Sequence, residues 1–476
     1  MKMRDNSEDF NGEDFNGEGT IAAISTPYGT GGLGIIRISG LSAFRIAGQI
    51  FEGKTPFEEM KSHTVAHGRI IDPKTERMID EVLLIKMKGP HTFTAEDVVE
   101  ISCHGGIVLL KNVLSLVLAQ GARAAEPGEF TKRAFLNGKM DLAQAEAVID
   151  LINAKTVEGS RAAAAQLEGR ISENIQRARR QLIELIAHIE AVVDYPEHDI
   201  EELTGDMIYA GVQSVKGDLQ KIAGSYEQGR LVREGITAAI IGKPNAGKSS
   251  LLNVLAGGNR AIVTEIPGTT RDIIEEFINL RGIPVRLLDT AGIRNTIDTV
   301  ESIGVERAQK AAQESDLVIM VLDAQTGILP ADIEIITLIK EKRKIVLINK
   351  TDIAQNDRIT EMRKQLSTLD ICPVVAASMQ DGTGIEELLR EMEELFIKGG
   401  LDLNSEVLIT NVRHRQLLDK AIESLELAEA AHESALPLDF VTIDIKECAE
   451  YLGQITGESV SEDVVREIFT RFCIGK

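Results

Sequence analysis

The run Thr237–Ile241 leads into Gly242-Lys243-Pro244-Asn245-Ala246-Gly247-Lys248-Ser249, which satisfies GxxxxGK[ST] between a predicted strand and a predicted helix. Glycines at this spacing let backbone N–H groups converge on phosphate oxygens at a helix N-terminus. Lys248 adds a point charge, the Ser249 hydroxyl can ligate Mg²⁺, and Ser250 follows in the same binding stretch. Taken alone, such a match could be a chance loop. Two further segments argue against that. The predicted strand Val285–Leu288 delivers Asp289-Thr290-Ala291-Gly292, where an aspartate can hold the Mg²⁺ shell and the Gly292 N–H can meet a γ-phosphate. The predicted strand Ile345–Ile348 delivers Asn349-Lys350-Thr351-Asp352. The Asp352 carboxylate can accept from the N1–H and exocyclic amine of guanine, a donor pair that adenine lacks. A site that demands such bonds rejects analogues by roughly 10⁴ or more. Three motifs in this order, each at a strand end, imply a GTP-hydrolysing enzyme.

These motifs need elements to carry them. Apolar strands recur over the middle of the chain at Thr237–Ile241, Val285–Leu288, Leu317–Leu322, Ile345–Ile348 and Val374–Ala377, each followed by loop residues and helical periodicity, so residues 234–398 read as a parallel α/β domain. Before it, Ile171, Ile175, Ala178, Leu182, Leu185, Ile189 and Val192 step by four and three, an a/d seam interrupted at Tyr195-Pro196. A second helical stretch is predicted from about Asp206 to Arg233, and the chain after about residue 399 is again mostly helical. The α/β domain therefore reads as an insertion between two pieces of one helical domain, 139–233 and 399–476. Residues 20–138 alternate β-branched runs (Ile21–Ile24, Ile35–Ile38, Val82–Ile85, Val98–Ile101) with Gly/Pro punctuation, as an α+β domain does.

Composition sets the outer bounds. The 476 residues suggest about three domains. With 74 Asp+Glu against 52 Lys+Arg the formal charge is −22, so contact with nucleic acid requires a local basic patch or a basic partner. Cys103, Cys372, Cys448 and Cys473 are scattered, with neither zinc-ribbon nor disulfide spacing, which fits a reducing cytoplasm. No apolar run reaches the roughly 20 residues of a membrane span. Residues 1–19, where Glu8-Asp9-Phe10-Asn11-Gly12 is repeated as Glu13-Asp14-Phe15-Asn16-Gly17, read as a flexible acidic tail and not as a secretory signal.

Between the first two motifs lies Thr264-Glu265-Ile266-Pro267-Gly268-Thr269-Thr270-Arg271-Asp272, which resembles switch I of the TrmE–Era–EngA-like GTPases. By that resemblance Thr270 completes the Mg²⁺ shell begun by Ser249. The base-supporting motif is less regular, since Ala377-Ser378-Met379 before Gly382-Thr383-Gly384 only loosely resembles the usual Ser-Ala-Lys. Ile293 occupies the place where Ras-like enzymes carry a water-orienting Gln, and an apolar side chain cannot hold a water. Asn245 resembles the P-loop asparagine of potassium-activated members, which implies a K⁺ site of Asn245, Thr264, Ile266 and Thr269; a helix-capping Asn245 is the structural alternative. The same resemblance points to Glu301 as the water-positioning residue, with a solvated surface charge as the alternative.

The likeness extends beyond the G domain. Thr26-Pro27-Tyr28-Gly29-Thr30-Gly31-Gly32-Leu33-Gly34-Ile35-Ile36-Arg37-Ile38-Ser39-Gly40, Phe93-Thr94-Ala95-Glu96-Asp97-Val98-Val99-Glu100 with His104-Gly105-Gly106, Pro127-Gly128-Glu129-Phe130, Arg133-Ala134-Phe135-Leu136-Asn137-Gly138-Lys139 and the terminal Phe472-Cys473-Ile474-Gly475-Lys476 resemble the MnmE (TrmE) family of tRNA-modification GTPases from Thr20 to the last residue. The resemblance implies a folate-binding N-terminal domain that also makes the homodimer, with tetrahydrofolate (5,10-methylene or 5-formyl) positions at Arg37, Glu100, Lys139 and Lys476. It implies a helical domain and an inserted Ras-like P-loop G domain. It further implies a FAD- and NADH-using partner, MnmG (GidA), in a heterotetramer, and tRNA as the substrate, modified at C5 of the wobble uridine. Cys473 is implied as a participant in the chemistry, against simple packing beside Phe472 and Ile474. Two other readings share the G motifs: a GTP-switched ribosome-assembly factor of the Era/EngA type, and a folate-dependent one-carbon enzyme regulated by its G domain. Neither a second P-loop nor a GXXG clamp in a basic context supports the first of these.

Overall fold

The computed structural model describes residues 19–194, 205–257, 261–262, 276–289, 309–396, 408–434 and 436–476. The described residues form two compact units. One takes the chain up to Ile149 together with Thr456–Lys476, and the other lies between Asp150 and Ile455.

The first unit is built on a seven-stranded sheet of order β3-β4-β5-β6-β2-β1-β7, formed by β1 (Ile21–Ile24), β2 (Leu33–Ser39), β3 (Phe51–Gly53), β4 (Thr64–Ile71), β5 (Met78–Met87), β6 (Val98–His104) and β7 (Arg123–Ala124). The helices α1 (Ala43–Ile50) and α2 (Ile107–Ala119) cover one face, burying Ile36, Ile38, Val82, Leu84, Val99 and Ile101 beneath Ile46, Leu110 and Val113. Strand alternation sends the intervening residues the other way, so Val65 and Leu83 stay exposed. The helices α3 (Glu129–Leu136), α4 (Leu142–Asn153) and α16 (Glu462–Thr470) bring Leu142, Val465, Phe469 and Phe472 into a small core of their own.

In the second unit, α6 (Arg170–Asp194), α7 (Gly205–Gly224), α8 (Tyr226–Glu234), α14 (Val412–Glu433) and α15 (Leu438–Thr456) share one core, and α5 (Val157–Leu167) packs on α6 and α8. Ile171, Ile175, Ala178, Leu182 and Ile189 of the predicted seam are buried there against Leu418, Leu425, Ile445 and Leu452, so chain from both sides of the G domain builds a single helical layer. The stretch predicted as one helix up to Arg233 is two: α7 closes at Gly224 and Ser225 turns the chain into α8, its hydroxyl bonding the Ile222 carbonyl at 2.7 Å and accepting from Ile409 N–H at 3.0 Å.

The inserted domain is a second seven-stranded sheet of order β14-β13-β12-β8-β11-β10-β9. Its strands β8 (Ile236–Gly242), β11 (Ile283–Asp289), β12 (Leu317–Asp323), β13 (Lys344–Asn349) and β14 (Val374–Ala376) run parallel, whereas β10 (Glu276–Leu280) and β9 (Ala261–Ile262) form an antiparallel edge that the expected all-parallel sheet did not include. β12 is buried on both faces apart from its last residue, as a central parallel strand must be. The helices α9 (Lys248–Ala256) and α13 (Ile385–Phe396) cover one face; residues 309–313 (α10), α11 (Pro330–Leu338) and α12 (Asn356–Thr368) lie on the other side. Ligands of such sheets bind beyond the carboxyl ends of the strands, which is where the three nucleotide motifs begin.

Candidate functional site

β8 ends at Gly242 and α9 begins at Lys248, so residues 243–247 turn the chain from a buried strand to a helix N-terminus. Asn245 (φ +63°) and Gly247 (φ +103°) adopt left-handed backbone. A Cβ on Gly247 would stand 2.0 Å from Asn349 Nδ2, so only glycine fits there. No side chain caps α9, which leaves its first N–H groups to an anion. The N-cap is Gly247, so the helix-capping alternative for Asn245 does not hold; Asn245 is exposed at the loop surface. Lys248 Nζ lies over the loop, donating to the Gly242 and Lys243 carbonyls at 2.8 and 2.7 Å. Ser249 and Ser250 are exposed in the first turn of α9, and Ala246 is buried beneath the loop.

A cleft of about 750 Å³ joins Asn245, Lys248, Ser249 and Ser250 to Asn349, Lys350 and Asp352, and then to Met379 and Gln380. Asn349 closes β13 almost fully buried. Its Nδ2 donates to the Ala246 carbonyl at 2.8 Å and its Oδ1 accepts from the Met379 N–H at 3.3 Å. Lys350 Nζ is paired with Asp323 Oδ2 at 2.6 Å, which anchors the ammonium and leaves the aliphatic stem along the cleft. The Asp352 carboxylate is exposed beside it, in position to accept from a base.

The base-side loop corrects the sequence reading by one residue. Ala377 is buried and extends the sheet, its N–H bonding the Ile348 carbonyl at 2.8 Å, while Met379 and Gln380 face the cleft. The residues at the cleft are therefore Met379 and Gln380, preceded by the buried Ser378, one position later than the stretch named from the sequence. Counting back from Gly382-Thr383-Gly384 is the signal that would have set the register. Ser378 N–H donates to Thr383 O and Gly382 N–H to Ser378 O, both at 3.0 Å, closing the loop. The Thr383 backbone N–H, followed by its hydroxyl, holds the Asp381 carboxyl below the ordinary aspartate range.

Asp289 closes β11 opposite Ile240 of β8, so the second motif starts at the same edge of the sheet as the P-loop. Thr264, Glu265, Ile266, Pro267, Gly268, Thr269 and Thr270, the remainder of the second motif at Thr290, Ala291 and Gly292, and Glu301 lie outside the described residues.

In the other unit, Arg37 of β2 and Glu100 of β6 are direct cross-strand partners, joined Nε to Oε1 at 2.8 Å with both side chains largely shielded. The Arg37 guanidinium also lies 5.5 Å from the ring centres of Phe93 and Phe130. Neither residue is the solvated surface charge that its type alone suggests. Lys139 is exposed just past α3, and Lys476 ends the chain; neither makes an ion pair among the described residues. The C-terminal segment is held by a bridge between Pro127 and Ile474 and by the Gly128 N–H donating to Cys473 O at 3.3 Å, and Gly475 packs on Ile24 and Ser25 of the β1 end. Phe472 is buried and Cys473 is exposed, so Cys473 does not serve as a core residue. Burial pushes the Cys448 thiol up to about 12, and burial together with the nearby Asp80 charge does the same for Cys103.

The chain matches two family descriptions, "GTP-binding protein TrmE N-terminus" over residues 20–139 and "MnmE helical domain" over residues 142–473. It is 58% identical over 459 residues to the tRNA modification GTPase MnmE of Acetivibrio thermocellus, spanning 96% of this chain and 99% of that one. It is 49% identical to the protein of the same name from Alkaliphilus oremlandii, with the same coverage. Among solved structures it is similar to Aquifex aeolicus Era bound to GDP·AlF4⁻, at 28% identity and a TM-score of 0.28 over 40% of this chain and 67% of that one. A match of this extent decides membership: the chain belongs to the MnmE family of tRNA-modification GTPases.

Proposed function

We propose that this GTPase acts with the FAD-dependent partner MnmG (GidA), in a heterotetramer, to add a carboxymethylaminomethyl or aminomethyl group to C5 of the wobble uridine of certain tRNAs. The observation that carries this reading is the 58% identity to a tRNA modification GTPase along essentially the whole of both chains, not along the G domain alone. With a net charge of −22, the protein fits a role in which the partner carries much of the surface that meets tRNA.

Within the G domain, the P-loop N–H groups and Lys248 hold the phosphates, Asp352 reads guanine, and Ser249 with Thr270 holds Mg²⁺. The exposed Ser249 hydroxyl at a helix N-terminus fits a hard cation next to phosphate. Asn245, exposed and free of a capping duty, fits a K⁺ ligand with Thr264, Ile266 and Thr269, where the cation answers charge that spreads over the transferring phosphoryl oxygens. Glu301 positions the attacking water.

In the N-terminal domain, Glu100 uses one carboxylate oxygen on Arg37, and its second has no described partner, which fits an N–H donor edge such as a pterin presents. Lys139 and Lys476 supply cations for folate carboxylates. Bound tetrahydrofolate supplies the one-carbon unit. The exposed Cys473 thiol, with Lys476 three residues on, takes part in the modification chemistry. The uncovered sheet face bearing Val65 and Leu83 supports a homodimer. No described helix is long and apolar enough to cross a membrane, and the reading places the protein in the cytoplasm.

Mass analysis of wobble nucleosides tests the reading. Cells lacking the gene should lose the C5-modified uridines, regain them with the intact gene, and fail to regain them with Lys248→Ala. Unchanged modification on deletion would overturn it.

A further inference from the structure

β10 and β11 are joined by the two-residue turn Arg281-Gly282, with φ of +47° and +99°, as tight hairpin turns require. In sequence the hairpin connects the two switches: β10 starts just after the Thr264–Asp272 segment, and β11 ends at Asp289, the first residue of the second nucleotide motif. Arg281 at its tip is exposed, but Gly282 is buried and held. The Thr156 hydroxyl donates to the Gly282 carbonyl at 2.8 Å. The same oxygen accepts from the Gly159 N–H at 3.0 Å, so it is also the N-cap of α5 in the helical domain. Thr156 is buried. Two neighbours reinforce the junction. Lys155 Nζ lies 5.6 Å from the Phe277 ring centre of β10, and the Glu158 side chain packs so closely on Gly282 that a Cβ there would meet its Cγ at 2.7 Å.

We propose that Thr156 is a positioning residue that ties the hairpin between the switches to α5, so that the nucleotide state of the G domain is read out in the helical domain. One hydroxyl serves both elements: a shift of the hairpin must pull on the α5 cap or break one of its two bonds. Because α5 packs on α6 and α8, and α8 inserts Leu231 into the G-domain core, the displacement has a route of contacts into the helical layer. The inference rests on the GTPase reading but not on the tRNA or folate assignments.

Hydrogen exchange of the full-length chain, in K⁺ and Mg²⁺, compares GDP with GDP plus aluminium fluoride. The α5 amides should differ between the two states by about fivefold to tenfold, a typical coupling between sites. Thr156→Asp keeps an N-cap acceptor but removes the donor to Gly282, so it separates capping from tethering. It should abolish the α5 difference while fluorescent GDP affinity stays within about twofold, and Thr156→Ser should restore the difference. An α5 response that persists in Thr156→Asp, or is absent in the wild-type chain while GTP turns over, overturns the proposal. A chain that binds no GTP would instead refute the GTPase reading. Should Thr156→Asp not fold, Lys155→Ala, which loosens the same junction from the surface, should reduce the α5 difference; an unchanged difference there contradicts the tether.

Discussion

The Asn349 amide reaches across the nucleotide cleft to the Ala246 carbonyl, 2.8 Å away, while its own oxygen takes the Met379 N–H at 3.3 Å, so one buried side chain fastens the phosphate loop to the base loop. In the proposed function these two loops grip phosphate and read the base, so changes on one side should be felt on the other.

Asn349→Ala removes both bonds and strands a buried carbonyl. A loss of about 1–3 kcal/mol in stability is expected, together with GDP affinity weakened by about tenfold or more. Chemical denaturation and nucleotide titration check the two effects, and an unaltered GDP affinity would show that the loops are not coupled through this residue.

Gln380→Lys places a long stem and a cation at the cleft where Gln380 now stands exposed. Guanine nucleotide affinity should rise modestly, by up to about fivefold, as an exposed cationic contact allows. Competition titration with GDP reads it, and a fall in affinity would contradict the placement of Gln380 on the base side.

Exposure and burial divide the four thiols. Cys103 and Cys448 are buried and their thiols are pushed up to about 12, whereas Cys372 and Cys473 are exposed. Native protein treated with iodoacetamide near pH 8 should label Cys372 and Cys473 only, and all four after denaturation. Peptide mass analysis checks this; rapid native labelling of Cys448 would contradict its burial in the helical core.

Acid should loosen the N-terminal domain. Burial pushes the Glu129 carboxyl up, but the bonds from Arg123 and the Glu126 N–H, with the Arg133 charge, outweigh it and leave the group below the ordinary glutamate range. A carboxyl depressed on folding contributes stability that is present above its unfolded value and is lost as pH falls through the folded one. Glu129→Gln should therefore flatten the fall in stability below about pH 4.3, the ordinary glutamate value, as read by thermal melts across pH. An identical acid profile in the variant would exclude this group.

The loop between β8 and α9 was legible in the sequence because its pattern is local: glycines, Lys248 and Ser249 stand at fixed spacing between strand and helix. The insertion of the G domain was legible too, from the a/d seam around Ile171–Ile189 and the return of helical period after residue 399. What was not legible depends on register and on contacts between distant segments. β4, with His67, Gly68 and Arg69 breaking its apolar alternation, gives a weak strand signal, and β3 and β7 are too short to give one. That Arg37 and Glu100 face each other follows from the β2–β6 register alone. Nothing in the sequence singles out Thr156, and only the fold brings Gly282 to it.

The most direct test of the account is a calorimetric titration of the full-length chain with GDP and with ADP in Mg²⁺ and K⁺. One GDP site per chain should saturate and ADP should give no saturable heat, with GDP binding lost in Lys248→Ala and shifted towards xanthosine diphosphate in Asp352→Asn. Saturation by ADP at comparable affinity, or no heat with GDP, would contradict it.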